Sequence, residues 1–501
     1  MDEYIRVRFS VSGWRGLSSS LASVPRVWRV LALGGFSALV YWVGLVLPYN
    51  VFRLGVPQLL DIAKLTRQQP LAQASWVLTF AVLSGLYYLL WRVCRGRQPR
   101  SVWAALLVTV VAVNALMLWL YPIGAADVFD NIFRGRMMAR GENPFYQAPR
   151  DVDDLVFFSY IAWKRSTSAY GPLWEGLAGL TSRLAGDGVL ANLLGFKLLS
   201  VLFYGGTIFL IAFTLRRNAP ERALQGVCLF ALNPLVIYET AGNAHNDVVM
   251  AFFLVLAAWW VLNGRYVWSA VALTAGALIK FIPVILLPIV LVAGLRAQTA
   301  WRPRVGLLVK MGAVCAILIA GAYLPFWQGG DPLALERRAR LFSSSLPAML
   351  QVLTEGWLGR EMSQLVVSRF AYLCLLIMVG VTTWRVWRAR PPFDLVQAFT
   401  GVLVFYLLFA VLWFQPWYAI WPLALAALLP EGVLSRTAVL LSYASLWKAI
   451  IFNFFLVPGK LPPRLWREMW LAPATLGIVW LYALYAWLQR RWNSAKQNPQ
   501  P

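Results

Sequence analysis

Apolar runs of about 17–25 residues, unbroken and bounded by charge, recur along almost the whole chain. In hydrocarbon such a run must satisfy its own backbone N–H and C=O groups. Continuous rather than alternating apolarity makes it a helix and not a barrel strand. The composition agrees, with 60% hydrophobic and 13% charged residues where a soluble surface needs roughly twice that charged share. The chain therefore reads as an all-α, polytopic integral membrane protein, a single membrane domain over residues 1–501. Candidate spans fall at 29–48, 75–93, 102–121, 190–214, 223–241, 247–262, 266–280, 282–295, 305–325, 366–388, 395–413, 417–430, 437–456 and 471–488, giving about 12–14 transmembrane helices.

The net charge of +24 resides in short basic clusters between the apolar runs: Arg92 to Arg100, Arg216-Arg217, Arg296 to Arg304, Arg385 to Arg390 and Arg490-Arg491. That pattern fits the positive-inside bias and contact with membrane lipids, and it excludes a nucleic-acid footprint. Arg6, Arg8, Arg15 and Arg26 precede a first run long enough to span, which reads as a signal anchor. Cys94, Cys228, Cys315 and Cys374 lie in or beside apolar segments without paired spacing, as apolar fillers do.

With every basic loop cytoplasmic, the outer face carries two long segments, 122–189 and 327–365, and short turns at 242–247, 279–283, 414–417 and 458–470. Segment 171–186 then lies as an amphipathic helix in the outer interface, and 266–295 divides into two short spans hinged at Lys280–Pro283. The tail 489–501 is expected to be disordered and cytoplasmic.

Ionisable and aromatic side chains gather on that outer face. Asp127 and Asp130 stand at i, i+3, with Arg134 continuing the same helical face and Arg136, Asn143 and Tyr146 following. The plain alternative for the two aspartates is a helix-start pair favoured by the dipole, and for the arginines a lipid or structural role. The 242–247 turn brings Asn243, His245, Asn246 and Asp247, the 280 hinge brings Lys280, and the 414–417 turn brings Gln415, Trp417 and Tyr418. His245 is the only histidine, so no second imidazole exists to share a metal. Carboxylates, cations and aromatic faces on one side are the inventory of a transfer involving phosphate: a base, partners for leaving oxygens, and stacking surfaces for a sugar or isoprenoid. A phosphate-binding G-x-x-x-x-G-K-[ST] loop, a dinucleotide fingerprint and an H-E-x-x-H zinc motif are all missing from the sequence.

The order Asp127-Val-Phe-x-x-Ile-x-x-Gly-Arg-x-x-Ala-x-Gly-x-Asn143-Pro-Phe-Tyr146 resembles the first outer loop of GT-C type glycosyltransferases, in particular bacterial polyprenyl-phosphate-mannose-dependent mannosyltransferases. Tyr170-Gly-Pro-Leu173, Asn233-Pro-Leu with Asn243-x-His245-Asn246-Asp247, Lys280-Phe-Ile-Pro283 and Gln415-Pro-Trp417-Tyr418 keep that family's order. Where many relatives carry Tyr-Pro-Pro-Leu this chain has Gly171, and where many carry Asn-Gly-His-Asn-Asp it has Ala244. The likeness covers roughly residues 100–430 and leaves the helix pair within 1–100 as an addition.

The resemblance implies a plasma-membrane enzyme transferring a hexose, mannose by likeness, from a polyprenyl-phosphate-linked donor to a lipid or glycan acceptor, with inversion and on the extracytoplasmic face. It implies catalytic roles for Asp127, as base, and Asp247. Lys280 with Arg134 or Arg136 would hold the donor phosphate. Asp130, Asn143, Tyr146, Tyr170, Asn243, His245, Asn246, Gln415, Trp417 and Tyr418 would line the substrate. No metal ligand set is assigned, and whether Asp127, Asp130 and Asp247 hold a divalent cation stays open. The rival class is a transporter or flippase for a lipid-linked or anionic substrate, against which stand the missing repeat and the one-sided clustering of charge.

Overall fold

The computed structural model describes residues 24–497 apart from 57, 67–68, 330–340, 389–393 and 452–463. Continuous apolar sequence becomes helix throughout, and prolines or polar pairs set the ends. Helix α1 (Arg26–Tyr41) runs through a π turn at Trp42–Val46 and ends at Tyr49. It packs on α2 (Pro70–Val93) and α3 (Arg100–Met117) through glycines. A Cβ at Gly34 would sit 2.2 Å from Thr109 Oγ1, and one at Gly44 would sit 2.2 Å from Thr79 Oγ1. Such small-residue crossings let helix backbones approach where no hydrophobic force drives them together.

The long segment after α3 contains α4 (Asp127–Ala139) and α5 (Pro172–Ala185), which cross where Gly135 faces Ala178 and Gly179 faces Met138. Helix α5 is the segment expected as an interfacial helix. It buries Trp174, Glu175, Ala178 and Ser182 and leaves Leu180 and Leu184 exposed. The 30-residue α6 (Val189–Asn218) returns across the molecule, and α7 (Ala223–Ala231) bends by 50° at Asn233-Pro234 into Pro234–Gly242. Then come α8 (Asp247–Leu262), α9 (Tyr266–Ala277), α10 (Leu287–Arg296) and α11 (Trp301–Tyr323). The remainder is α12 (Leu346–Leu358), α13 (Arg360–Arg388), α14 (Asp394–Phe405), α15 (Ile420–Ala426), α16 (Val433–Ile450) and α17 (Arg464–Gln497). Among the described residues there is no strand, only isolated bridges pairing Asn50 with Leu120 and Ser343 with Trp413.

Seven described helices are long and apolar enough to cross a bilayer, and the bent 220–242 pair makes an eighth. Four further expected spans are apolar helices of only 10–17 residues, so among the described residues the helices long enough to cross number fewer than the 12–14 expected from apolarity alone. The reason lies in where the short helices sit. Every residue of α15 is buried and most of α8 is, whereas α11 buries only Met311. Helices facing lipid must be continuous, but those enclosed by protein can break and expose backbone to a polar site. The expected hinge is present, with helix stopping at Ala277 and resuming at Ile282. The expected disordered tail is helical as far as Gln497, and 498–501 lie outside the described residues. So do residues 1–23, part of the 327–365 loop and residues 458–463 of the 458–470 turn, whose remainder opens α17.

Candidate active site

Lys197 begins the construction. Fully buried in α6, it donates to the carbonyl oxygens of Met117 (3.2 Å), Leu118 (3.1 Å) and Leu120, capping the negative end of α3 where the chain leaves the bundle. Gly124 then passes against the 242–247 turn, its N–H donating to Asn243 Oδ1 at 3.1 Å. A Cβ there would lie 2.4 Å from Asn243 Nδ2 and 2.8 Å from the Tyr238 hydroxyl, so this approach requires glycine. Asp127 follows as the first residue of α4, at the positive end of its dipole.

The turn itself is built on a residue the apolar pattern hides. Glu239, inside the π turn Tyr238–Gly242 and 2% exposed, accepts from Asn243 Nδ2 at 2.9 Å and faces His245 Nδ1 at 2.8 Å. The imidazole stacks on Trp417 with ring centres 3.8 Å apart and planes at 17°, while its Nε2 has no hydrogen-bond partner among the described residues. Ala244 holds φ +57°, a left-handed conformation that strains a residue with a Cβ. The turn delivers Asp247 to the start of α8, where its carboxylate takes Lys280 Nζ at 2.6 Å and Trp421 Nε1 at 2.7 Å.

Lys280 is positioned by the end of the first loop. The Gly171 N–H donates to Ile279 O at 3.0 Å and the Leu173 N–H to Leu278 O at 3.1 Å, laying the chain on the break after α9. A Cβ at Gly171 would fall 2.2 Å from Leu278 O. The ammonium consequently faces the rings of Tyr418 (5.3 Å), Tyr170 (5.4 Å) and Trp421 (5.9 Å), with Tyr418 stacked on Trp421. Asp127 is only part-buried, and its carboxylate makes no hydrogen bond among the described residues. Burial raises its pKa above the ordinary carboxylate range, the positive fields of His245 and Lys280 oppose that rise, and Asp247 adds to it. Burial pulls His245 down, but the adjacent Glu239 carboxylate outweighs it with help from Asp127 and Asp247, so the net shift is upward. One partnerless carboxylate thus shares its field with an ion pair and an imidazole whose pKa Glu239 raises.

Comparison with known proteins supplies the identity. The family model described as "Alpha-(1->6)-mannopyranosyltransferase, N-terminal domain" matches residues 28–296, more than half of the chain. The chain belongs to this mannosyltransferase family. Alpha-(1->6)-mannopyranosyltransferase A of Mycobacterium tuberculosis is 25% identical over 406 residues, covering 76% of this chain and 75% of that protein. The similarly named protein A of Corynebacterium glutamicum is 24% identical over 191 residues, 37% of this chain and 38% of its own. Protein B of that organism is 25% identical over 150 residues, 28% of this chain and 24% of its own. Membership decides for a membrane glycosyltransferase, using a sugar donor and a lipid or glycan acceptor, over a transporter or flippase. The matched residues, 28–296, include most of α1 and all of α2.

The mannosyltransferase fold places the other sequence-derived candidates unequally. Asp130 is 2% exposed and accepts the N–H groups of Ala162 (3.2 Å) and Trp163 (2.9 Å), so it anchors the first loop, its pKa pushed up to about 6 by burial. Arg136 is correspondingly committed, to Asp154 (2.7 Å), Asp187 (2.9 Å) and Gly186 O (3.1 Å), with its guanidinium over Phe157. It clamps the loop and has no free edge for a donor phosphate. Arg134 differs: buried, it reaches only Asp130 O and Ser166 O at 3.4 Å, and its Nε has no partner among the described residues. The fields of Asp127, Asp130 and Glu175 surround it, and Glu175, itself buried and bonded to Ser168, was not singled out from the sequence. Asn143 and Tyr146 face the end of α11, through Phe326 O (2.8 Å) and the Gln328 N–H (3.2 Å). Gln415 accepts from Lys448 at 3.1 Å, and Asn246 is buried with an unpartnered Nδ2. The structure does not gather Asp130 with Asp127 and Asp247 as a ligand set; among the described residues no cluster of three His, Cys, Asp or Glu is spaced for a metal ion.

Proposed function

We propose that the protein transfers mannose from a polyprenyl-phosphate-linked donor to a hydroxyl of a lipid or glycan acceptor, on the extracytoplasmic face of the plasma membrane, with Asp127 as the base. The observation that carries this reading is the partnerless Asp127 carboxylate beside the Lys280–Asp247 pair in its aromatic surround. Asp127 takes the acceptor hydroxyl proton as that oxygen attacks the anomeric carbon. The bond from that carbon to the phosphate oxygen breaks from the opposite side, and polyprenyl phosphate leaves as an anion without needing an acid. Lys280, oriented by Asp247, and Arg134 with its free Nε neutralise the developing phosphate charge. His245 presents its unpartnered Nε2 to the substrate, and the rings of Tyr170, Trp417, Tyr418 and Trp421 offer faces to sugar and isoprenoid. The relatives' names support mannose as the sugar and an alpha-(1->6) linkage as the product.

Sidedness draws its support from charge. Arg95 pairs with Glu431, Arg216 lies over Trp103, and Arg296 and Arg304 contact the end of α13, all at helix ends remote from Asp127. The decisive assay supplies radiolabelled polyprenyl-phosphate-mannose to proteoliposomes holding Asp127→Asn. Loss of a general base costs about 10²–10⁴-fold, so transfer should fall by at least a hundredfold with helicity unchanged. Transfer at the unsubstituted rate would remove Asp127 from the chemistry.

A further inference from the structure

A cleft of about 480 Å³ opens at the end of the bundle away from Asp127. Helix α16 spans the distance between the two: its Lys448 end donates to Phe414 O at 2.6 Å beside the candidate active site, and its Arg436 end lines the cleft. The interior is aromatic and aliphatic. Tyr87 and Tyr443 meet edge to face at 6.0 Å, Leu229 lies with them, and the Tyr87 hydroxyl is spent on Leu229 O at 2.8 Å.

The rim is different, with the guanidiniums of Arg95, Arg222 and Arg436 set against a single lining carboxylate, Glu431. Arg95 and Arg436 share Glu431 at 2.7 and 3.3 Å, and Arg95 also stacks over Trp91 at 4.7 Å. Among the described residues Arg222 pairs only with Glu221, at 3.7 Å. Gln225, also lining the cleft, has a buried Nε2 without a hydrogen-bond partner among the described residues. An apolar interior under a rim short of negative charge is complementary to a molecule with an aliphatic chain and an anionic head.

We propose that this cleft binds one anionic phospholipid, its acyl chain between Tyr87, Leu229 and Tyr443 and its phosphate on Arg95, Arg222 and Arg436. A phosphate offers two oxygens to forked guanidiniums where Glu431 now serves two arginines with one carboxylate. Basic pockets between membrane helices hold lipid headgroups by this combination. The walls come from α2, α7 and α16 together with Tyr482 of α17, so the lipid ties the amino-terminal helices to the last one.

Native mass spectrometry of the delipidated, full-length protein titrated with phosphatidylglycerol or phosphatidylcholine of matched chains tests this. One phosphatidylglycerol should be retained at least tenfold more tightly than phosphatidylcholine. The double variant Arg95→Gln, Arg436→Gln should erase that preference, and Leu440→Trp, which fills the cleft and keeps its charges, should abolish retention of either lipid there. Glu431→Gln removes the competing carboxylate and should tighten phosphatidylglycerol binding, a gain that misfolding cannot imitate. Equal retention of the two lipids, or weaker binding by Glu431→Gln, overturns the proposal. Displacement of the lipid by soluble glycerol phosphate at equal concentration also overturns it, by showing a site for a free anion.

Discussion

Glu239 shows how one buried carboxylate governs the behaviour of residues that touch it only indirectly. Its contact with His245 keeps the imidazole charged to higher pH than burial alone allows, and that charge lowers the pKa of Asp127 against its own burial. Replacing Glu239 with Gln preserves the acceptor for Asn243 but removes the counter-charge. His245 then loses its proton at lower pH, and Asp127, deprived of a cationic neighbour, keeps its proton to higher pH. The acid limb of kcat/KM against pH should therefore move up and the alkaline limb down, narrowing the profile. A purely structural role for Glu239 would lower activity with both limbs in place. Glu239 was not legible as a site residue, because it sits near the end of a run whose apolarity reads as a span and its partners arise only from the π turn. Asp247 and Lys280 were legible as charges at helix ends, but their 2.6 Å contact and the hydrogen bond from Trp421 were not.

At the scale of elements, the first loop and the break after α9 form one unit joined at Gly171. The glycine has an ordinary negative φ there, so proximity alone demands it: the obstructing atoms at 2.2 and 2.5 Å are Leu278 backbone O and C, which cannot turn aside as a side chain does. Gly171→Ala should destabilise the detergent-solubilised protein by about 1–3 kcal/mol, as overpacking does. Because the displaced backbone carries Tyr170 and Lys280, it should also raise the KM for donor. Gly176→Ala on α5, where a Cβ meets nothing within 4 Å, is the control and should be neutral or more stable by up to about 1 kcal/mol. Equal melting temperatures for the two variants would show that the Gly171 contact bears no strain. The hinge at Lys280–Pro283 was readable because Pro283 must interrupt a helix, whereas the pairing of Arg136 with Asp154 and Asp187 depends on a loop path that no local pattern encodes.

For the whole molecule, the arrangement of long helices around short, broken ones makes function depend on which end of the bundle faces outward. The broken ends carrying Asp127, Asp247 and Lys280 lie at one side of the core, and the Arg95, Arg296 and Arg304 contacts lie at helix ends on the other. Basic side chains are retained on the cytoplasmic side during insertion, and the proposed outward orientation of the site rests on that bias. Exposed positions exist at both ends to check this, Arg165 in the first loop and Arg97 in the loop between α2 and α3. In intact cells a membrane-impermeant maleimide should label Arg165→Cys within minutes and should label Arg97→Cys only after lysis, with the unsubstituted protein correcting for Cys315 and Cys374. The reverse pattern would place the transfer chemistry in the cytoplasm. The donor would then have to present its sugar from the inner leaflet, and the basic rim of the lipid cleft would face the outer one.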